Sequence, residues 1–122
     1  MADSSPRTLL IRGGRVVTAT DDYHADVYVV GERVHTIGRD LTLPADRVLD
    51  ASGRLVIPGG IDPHTHLDMP FGGTTSADDF DSGTVAAAHG GTTTVIDFAI
   101  QSKGESTLKG LEAWHTKADG KA

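Results

Sequence analysis

Two histidines two residues apart, His64 and His66, stand in the run Asp62-Pro63-His64-Thr65-His66-Leu67-Asp68-Met69-Pro70. On an extended backbone alternate side chains leave the same face, so the two imidazoles project toward one point in space. Neutral imidazole suits zinc and other first-row divalent ions. A catalytic site then needs further protein ligands and an open position for water. The chain has no cysteine, so disulfides and thiolate metal sites are excluded and any ion must be held by nitrogen and oxygen. With six histidines in the chain, an H-x-H pair also arises by coincidence. This pair is distinguished by its place, at the C-terminal end of the first strand of an α/β series, where such folds gather their active sites. His24, His35, His89 and His115 lack that setting and read as surface or packing residues.

The flanking residues carry weaker signals. Asp62 precedes His64 by two and faces the same way, so it either orients a histidine or caps the strand end, with capping favoured. Leu67, Met69 and Phe71 follow the pair and fit a wall around an apolar substrate substituent as well as they fit ordinary core contacts. The direction of Asp68 is not readable beside Pro70 and the glycines that follow. Asp78, Asp79 and Asp81 sit at a helix start, where the helix dipole alone accounts for acids. Gly59-Gly60 and Gly72-Gly73 belong to no G-x-G-x-x-G or G-K-[ST] pattern, so they read as close backbone packing and not as a phosphate cradle.

Two kinds of element must position these residues. From Thr8 to Val56 five short strand-like runs follow one another: Leu9–Ile11, Arg15–Thr18, Ala25–Val30, Arg33–Ile37 and Val48–Ala51. Gly13-Gly14, Asp21-Asp22, Gly31-Glu32 and Gly38 separate them and predict hairpins in a small antiparallel unit. The character changes at Leu55-Val56-Ile57-Pro58-Gly59-Gly60-Ile61, an apolar run that predicts a strand buried on both faces. A helix follows over Ala77–His89, capped by Ser76 and stopped by Gly90, then a buried strand over Thr92–Ile100 and a second helix from Ser106 to Lys117. Strand, helix, strand, helix is the order of a parallel α/β sheet. Two strands cannot complete one, so the chain reads as truncated.

Composition narrows the partners. The 122 residues carry a formal charge of −6 with Lys and Arg scattered singly, which leaves no basic stripe for nucleic acid. Every apolar run is far shorter than the about 20 residues that cross a bilayer, so no membrane insertion is expected. The polar segment Met1 to Thr8 leads into a run too short for a secretory signal, which predicts a cytoplasmic protein.

The residues from Pro58 to Thr74, Pro-Gly-Gly-Ile-Asp-Pro-His-Thr-His-Leu-Asp-Met-Pro-Phe-Gly-Gly-Thr, resemble the first-strand signature of the dihydropyrimidinase/hydantoinase branch of the amidohydrolase superfamily. The resemblance continues through Ala86-Ala87-Ala88-His89-Gly90-Gly91-Thr92-Thr93-Thr94-Val95-Ile96-Asp97-Phe98 and through Leu10–Gly14 and Ala25–Val27, so it covers the chain from about Thr8 onward. It implies an α/β fold in which a (β/α)8 TIM-like barrel is flanked by a small β-sandwich built from both chain ends. Residues 1–54 would belong to the sandwich and residues 55–122 to the first two β/α units of an incomplete barrel.

By the same resemblance His64 and His66 would bind the more buried of two zinc ions. The carboxylated lysine that bridges the metals, two further histidines and the proton-shuttling aspartate are absent from this chain, which therefore contains no catalytic residue of its own. The implied reaction belongs to pyrimidine degradation: water acidified between the metals attacks a polarised cyclic amide carbonyl of a dihydropyrimidine or 5-substituted hydantoin, and an N-carbamoyl amino acid results. A homotetramer is implied for the full-length protein. Leu67, Met69 and Phe71 would enclose the substrate's exocyclic group. Dihydroorotases and allantoinases carry H-x-H-x-R-E-P-G at this point, which Leu67–Phe71 does not match. The alternatives are a noncatalytic dihydropyrimidinase-related adaptor, a group that typically lacks the paired histidines, and an inactive fragment, which is the expectation for the isolated chain.

Overall fold

The structure, a computed structural model, describes residues 7–121; Met1 to Pro6, expected above to be a polar lead, and Ala122 lie outside them. The chain divides into two compact units, one up to Pro58 and one from Gly59.

The first unit is a single five-stranded sheet. Its strands are β1 (Thr8–Val17), β2 (Asp22–Val30), β3 (Arg33–Gly38), β4 (Arg47–Asp50) and β5 (Leu55–Val56). They are ordered β3-β2-β1-β4, with β5 also pairing β1. The pairs β1–β2 and β2–β3 are antiparallel, but β4 and β5 run parallel to β1. The expected all-antiparallel unit is therefore a mixed sheet. The β2–β3 turn at Gly31-Glu32 is the two-residue hairpin that the sequence predicts, with Val30 opposite Arg33.

Gly13-Gly14, expected to break the strand, instead lies inside one ten-residue strand as a β-bulge. Ile11 pairs Val27 and Gly14 pairs Ala25, so β1 uses one residue more than β2 between the two pairs. Gly13 takes the positive φ of 72° that such a bulge uses. The extra residue flips the strand's parity, which puts odd Ile11 and even Val16 on the same face. That face is the core, where Val16, Ala25 and Val27 are packed with Ile11, Val29 and Val56.

The bulge leaves the Gly13 N–H without a ladder partner. It is met by Asp26, only 4% exposed, whose Oδ1 accepts from Gly13 N at 2.7 Å and whose Oδ2 accepts from Leu41 N at 2.9 Å. Tyr28 Oη donates to the Pro44 carbonyl at 2.8 Å. These bonds draw the segment from Leu41 to Pro44 against the second face of the sheet.

The second unit holds β6 (Gly60–Thr65), a short hairpin of β7 (Pro70–Phe71) and β8 (Thr74–Thr75), α1 (Phe80–His89), β9 (Thr92–Asp97) and α2 (Thr107–Ala118). The β6 and β9 strands pair in parallel across α1, with Gly60 opposite Thr92 and Thr65 opposite Asp97. This is the parallel β-α-β order expected from the sequence.

Three boundaries differ from expectation. The run Leu55–Ile61 is two strands. Leu55-Val56 completes the first sheet, Pro58 interrupts pairing because it has no N–H to donate, and a new strand starts at Gly60. The units thus divide after Pro58, whereas the sequence suggested Leu55. Second, α1 begins at Phe80 and not Ala77. Its N-cap is Asp79, whose carboxylate accepts from Ser82 N while Ser82 Oγ accepts from Asp79 N, a reciprocal capping box. Ser76 is engaged elsewhere, accepting from Met69 N at 2.9 Å. Third, β9 ends at Asp97, three residues before Ile100. The second helix agrees with expectation, and Ser106 caps it through Lys109 N. Among the described residues no helix is long and apolar enough to cross a membrane.

Candidate metal site

His64 is the penultimate residue of β6 and His66 lies just beyond its end. The alternation expected from an extended backbone holds through this strand end: the two Nε2 atoms are 3.1 Å apart. The rings meet edge to face, with centroids 5.0 Å apart at 77°. Two nitrogens bound to one zinc at about 2.0–2.1 Å and a tetrahedral angle stand about 3.3 Å apart. The pair therefore fits two corners of a tetrahedral ion without rearrangement. With both rings neutral and protonated on Nδ1, both Nε2 lone pairs are available for an ion. With one Nε2 protonated, the same spacing makes an N–H···N hydrogen bond. Two nitrogens are fewer than the three protein ligands of a catalytic zinc. Among the described residues no group of three or more His, Cys, Asp or Glu converges.

The surroundings of the pair come from β6, the loop after it, β9 and both helices. Asp62 Oδ1 accepts from the backbone N–H of His64 at 3.1 Å, so its carboxylate fixes the main chain of the strand and not an imidazole nitrogen. Phe98, the residue after β9, lies against both rings, with its centroid 4.6 Å from that of His64 and 5.3 Å from that of His66. It forms an apolar floor that limits the rotation of either imidazole.

Asp97 binds the strand end directly. Its Oδ2 accepts from Leu67 N at 2.7 Å and from Thr65 Oγ1 at 3.0 Å, and its Oδ1 accepts from the Trp114 indole N–H at 2.9 Å. The sequence drew attention to neither Asp97 nor Phe98 as a site residue. The available signal was their position, at the C-terminal end of the strand that pairs with the H-x-H strand.

The loop after His66 leads into the hairpin. Leu67 is half-buried against α1, where Gly83 admits it: a Cβ at Gly83 would stand 2.4 Å from Leu67 Cδ2. Asp68 adopts a left-handed φ of 48°, a conformation aspartate tolerates better than most residues. It is held by its own N–H to Asp78 O at 2.8 Å and by Lys117 Nζ, which donates to Asp68 O at 2.5 Å. Met69 is half-buried and tied to Ser76, whereas Phe71, on β7, is 74% exposed. Gly72 and Gly73 both have positive φ, 58° and 84°, and turn β7 into β8 as a two-residue hairpin. The structure thus brings His64, His66, Phe98 and Asp97 together, with Leu67 directed into α1 and Phe71 apart on the hairpin.

The chain as a whole has close relatives among known proteins. The amidohydrolase family profile matches residues 55–116, just over half of the chain. The D-hydantoinase of Geobacillus stearothermophilus is 58% identical over 115 residues, 94% of this chain and 24% of that protein. The dihydropyrimidinase of Rattus norvegicus is 53% identical over 118 residues, 93% of this chain and 23% of its own. The crystal structure of dihydropyrimidinase from Brevibacillus agri NCHU1002 superposes with a TM-score of 0.89 at 56% identity, covering 94% of this chain and 25% of that one. The chain therefore spans about a quarter of the length of the relatives it matches. Agreement of the family profile, the sequence and the fold leads to one conclusion, that the chain belongs to the amidohydrolase family.

Proposed function

We propose that the full-length protein carrying this chain is a zinc-dependent cyclic amidohydrolase that opens a dihydropyrimidine or 5-substituted hydantoin to an N-carbamoyl amino acid. The observation that carries this reading is the 3.1 Å approach of the His64 and His66 Nε2 atoms at the end of β6. The similarity to D-hydantoinase and dihydropyrimidinase supports the substrate class. In this reading His64 and His66 hold one of two zinc ions, and the other ligands, a carboxylated lysine, two histidines and a proton-transferring aspartate, come from beyond these 122 residues. What the metal supplies when bound is Lewis acidity toward water and the amide carbonyl.

The residues of this chain bind and orient. His64 and His66 donate nitrogen, Phe98 packs against both rings, and Asp62 and Asp97 hold the main chain on which the ligands are mounted. Leu67, Met69 and Phe71 would form the wall beside the substrate's exocyclic substituent. Further strands and helices of a (β/α)8 barrel would cover Ile61 and Ile96, which are exposed here, and the first sheet would join later strands in a β-sandwich. The full-length protein would act in the cytoplasm as a homotetramer. Because the chain supplies only two metal ligands, it is expected to be inactive alone.

Replacing His64 or His66 by Ala in the full-length protein should abolish zinc retention and hydrolysis of dihydrouracil together. Undiminished hydrolysis by either variant would overturn the assignment.

A further inference from the structure

We propose that Asp97, anchored by Trp114, is the positioning residue of the histidine pair, fixing His66 by clamping the residues on both sides of it. The inference rests on the metal-site reading of His64 and His66. His66 sits where β6 has ended and the loop has begun, and Asp68 two residues later is already left-handed. A strand end of this kind frays unless something outside the strand binds it, whereas a metal ligand must be held to within about 0.5 Å of its working position.

Asp97 provides that hold. Its Oδ2 takes the Leu67 N–H at 2.7 Å and the Thr65 hydroxyl at 3.0 Å, one on each side of His66. Its Oδ1 takes the indole N–H of Trp114, which is buried on α2. Three donors converge on one side chain, which an ionised carboxylate satisfies because both of its oxygens accept. Lys117, one turn beyond Trp114, lies 4.5 Å from the indole centroid and donates to the Asp68 carbonyl, so the same face of α2 holds the next residue of the loop as well. The second helix thus reaches the metal ligands through one carboxylate and one ammonium group.

The test uses the full-length protein loaded with cobalt(II) alone, with visible absorption following loss of the ion to excess chelator and thermal unfolding recorded in parallel. Asp97→Ala should release cobalt about 10- to 100-fold faster than wild type, the range typical of residues that orient metal ligands. Asp97→Asn should release it at an intermediate rate, because one amide oxygen cannot face both the loop donors and the indole. The double variant Asp97→Asn/Trp114→Phe should be slower than Asp97→Asn, since removing the indole N–H lets the amide oxygen turn to Leu67 and Thr65. Wild-type release by Asp97→Ala with only a lowered melting temperature would overturn the proposal. Should Asp97→Ala fail to fold, wild-type release by both Asp97→Asn and Trp114→Phe would overturn it equally. His66→Ala serves as the reference: if it retains cobalt like wild type, the metal-site reading itself is what fails.

Discussion

The first sheet and the β6–α1–β9–α2 unit are of similar length, yet they bury their apolar residues very differently. In the sheet, Leu10, Val16, Ala25, Val27 and Tyr28 are buried, and Asp26, the one buried carboxylate among the described residues, has a backbone donor on each oxygen. In the second unit the buried side chains are Phe80 and Trp114, while Ile61 and Ile96 on the paired strands are 65% and 53% exposed. The difference follows from topology. The mixed first sheet packs Val56 of its parallel strand β5 onto the face formed by the antiparallel β1 and β2, whereas the parallel β6–β9 pair needs layers on both faces, which two strands and two helices cannot supply. Both units have long-range side-chain hydrogen bonds; those of the second gather mostly around the H-x-H strand end.

Core truncation tests this contrast most strongly. Leu10, 1% exposed, should cost about 2–5 kcal/mol when changed to Ala, as deletions in closed cores do. Ile61→Ala in the full-length protein should cost a comparable amount if barrel layers cover β6. A cost within about 0.5 kcal/mol, normal for exposed positions, would mean that this face stays bare. Denaturant unfolding of both variants measures the two together.

A smaller effect is expected at Asp26. Asp26→Ala strands the Gly13 and Leu41 N–H groups, at about 1–3 kcal/mol for each group that stays buried without a partner. Hydrogen exchange at these two amides should accelerate along with the loss of stability. Protection unchanged at Gly13 would show that the bulge is held by the ladder and not by the carboxylate.

The smallest effect concerns the exposed Arg15–Asp22 pair beside the β1–β2 turn, where the guanidinium forks onto the carboxylate at 2.7 and 2.5 Å. The hydrogen bond from Arg15 holds the Asp22 pKa below its ordinary 3.8, against an opposing desolvation. A depressed carboxylate pKa contributes stability above its unfolded value and loses it as pH falls through the folded one. Asp22→Asn should therefore flatten the acid limb of the stability curve below about pH 4, slightly, and less so at high salt because the pair is solvent-exposed. Superimposable acid limbs at low salt would show that the fork contributes nothing.

Much of this molecule is legible along the chain, and the misreadings have identifiable causes. The Gly31-Glu32 hairpin, the helix from Ser106 to Lys117 and the parallel order of β6 and β9 follow from turn residues, helical spacing of apolar residues and apolar runs. Gly13-Gly14 was misread because a positive-φ glycine serves a turn and a bulge equally well, and only the Asp26 carboxylate opposite decides for the bulge. Ser76 and Asp79 are both good caps, and the choice fell to Asp79 because Ser82 completes its box while Ser76 is taken by Met69. Leu55–Ile61 looked like one strand because apolarity does not record which sheet a residue joins.

The sequence by itself determined the chemistry available to the site: imidazoles two apart on an extended strand, no thiol, and a strand end in an α/β series. Local backbone geometry carries that information, since side-chain direction along a strand has a period of two. Tertiary structure alone decided what holds those imidazoles. The Asp97 carboxylate lies 30 residues from Leu67 and 17 from Trp114, and Phe98 reaches the rings because β9 pairs beside β6. Hydrogen-bond partners so far apart are selected by strand register and helix docking, which no local pattern encodes.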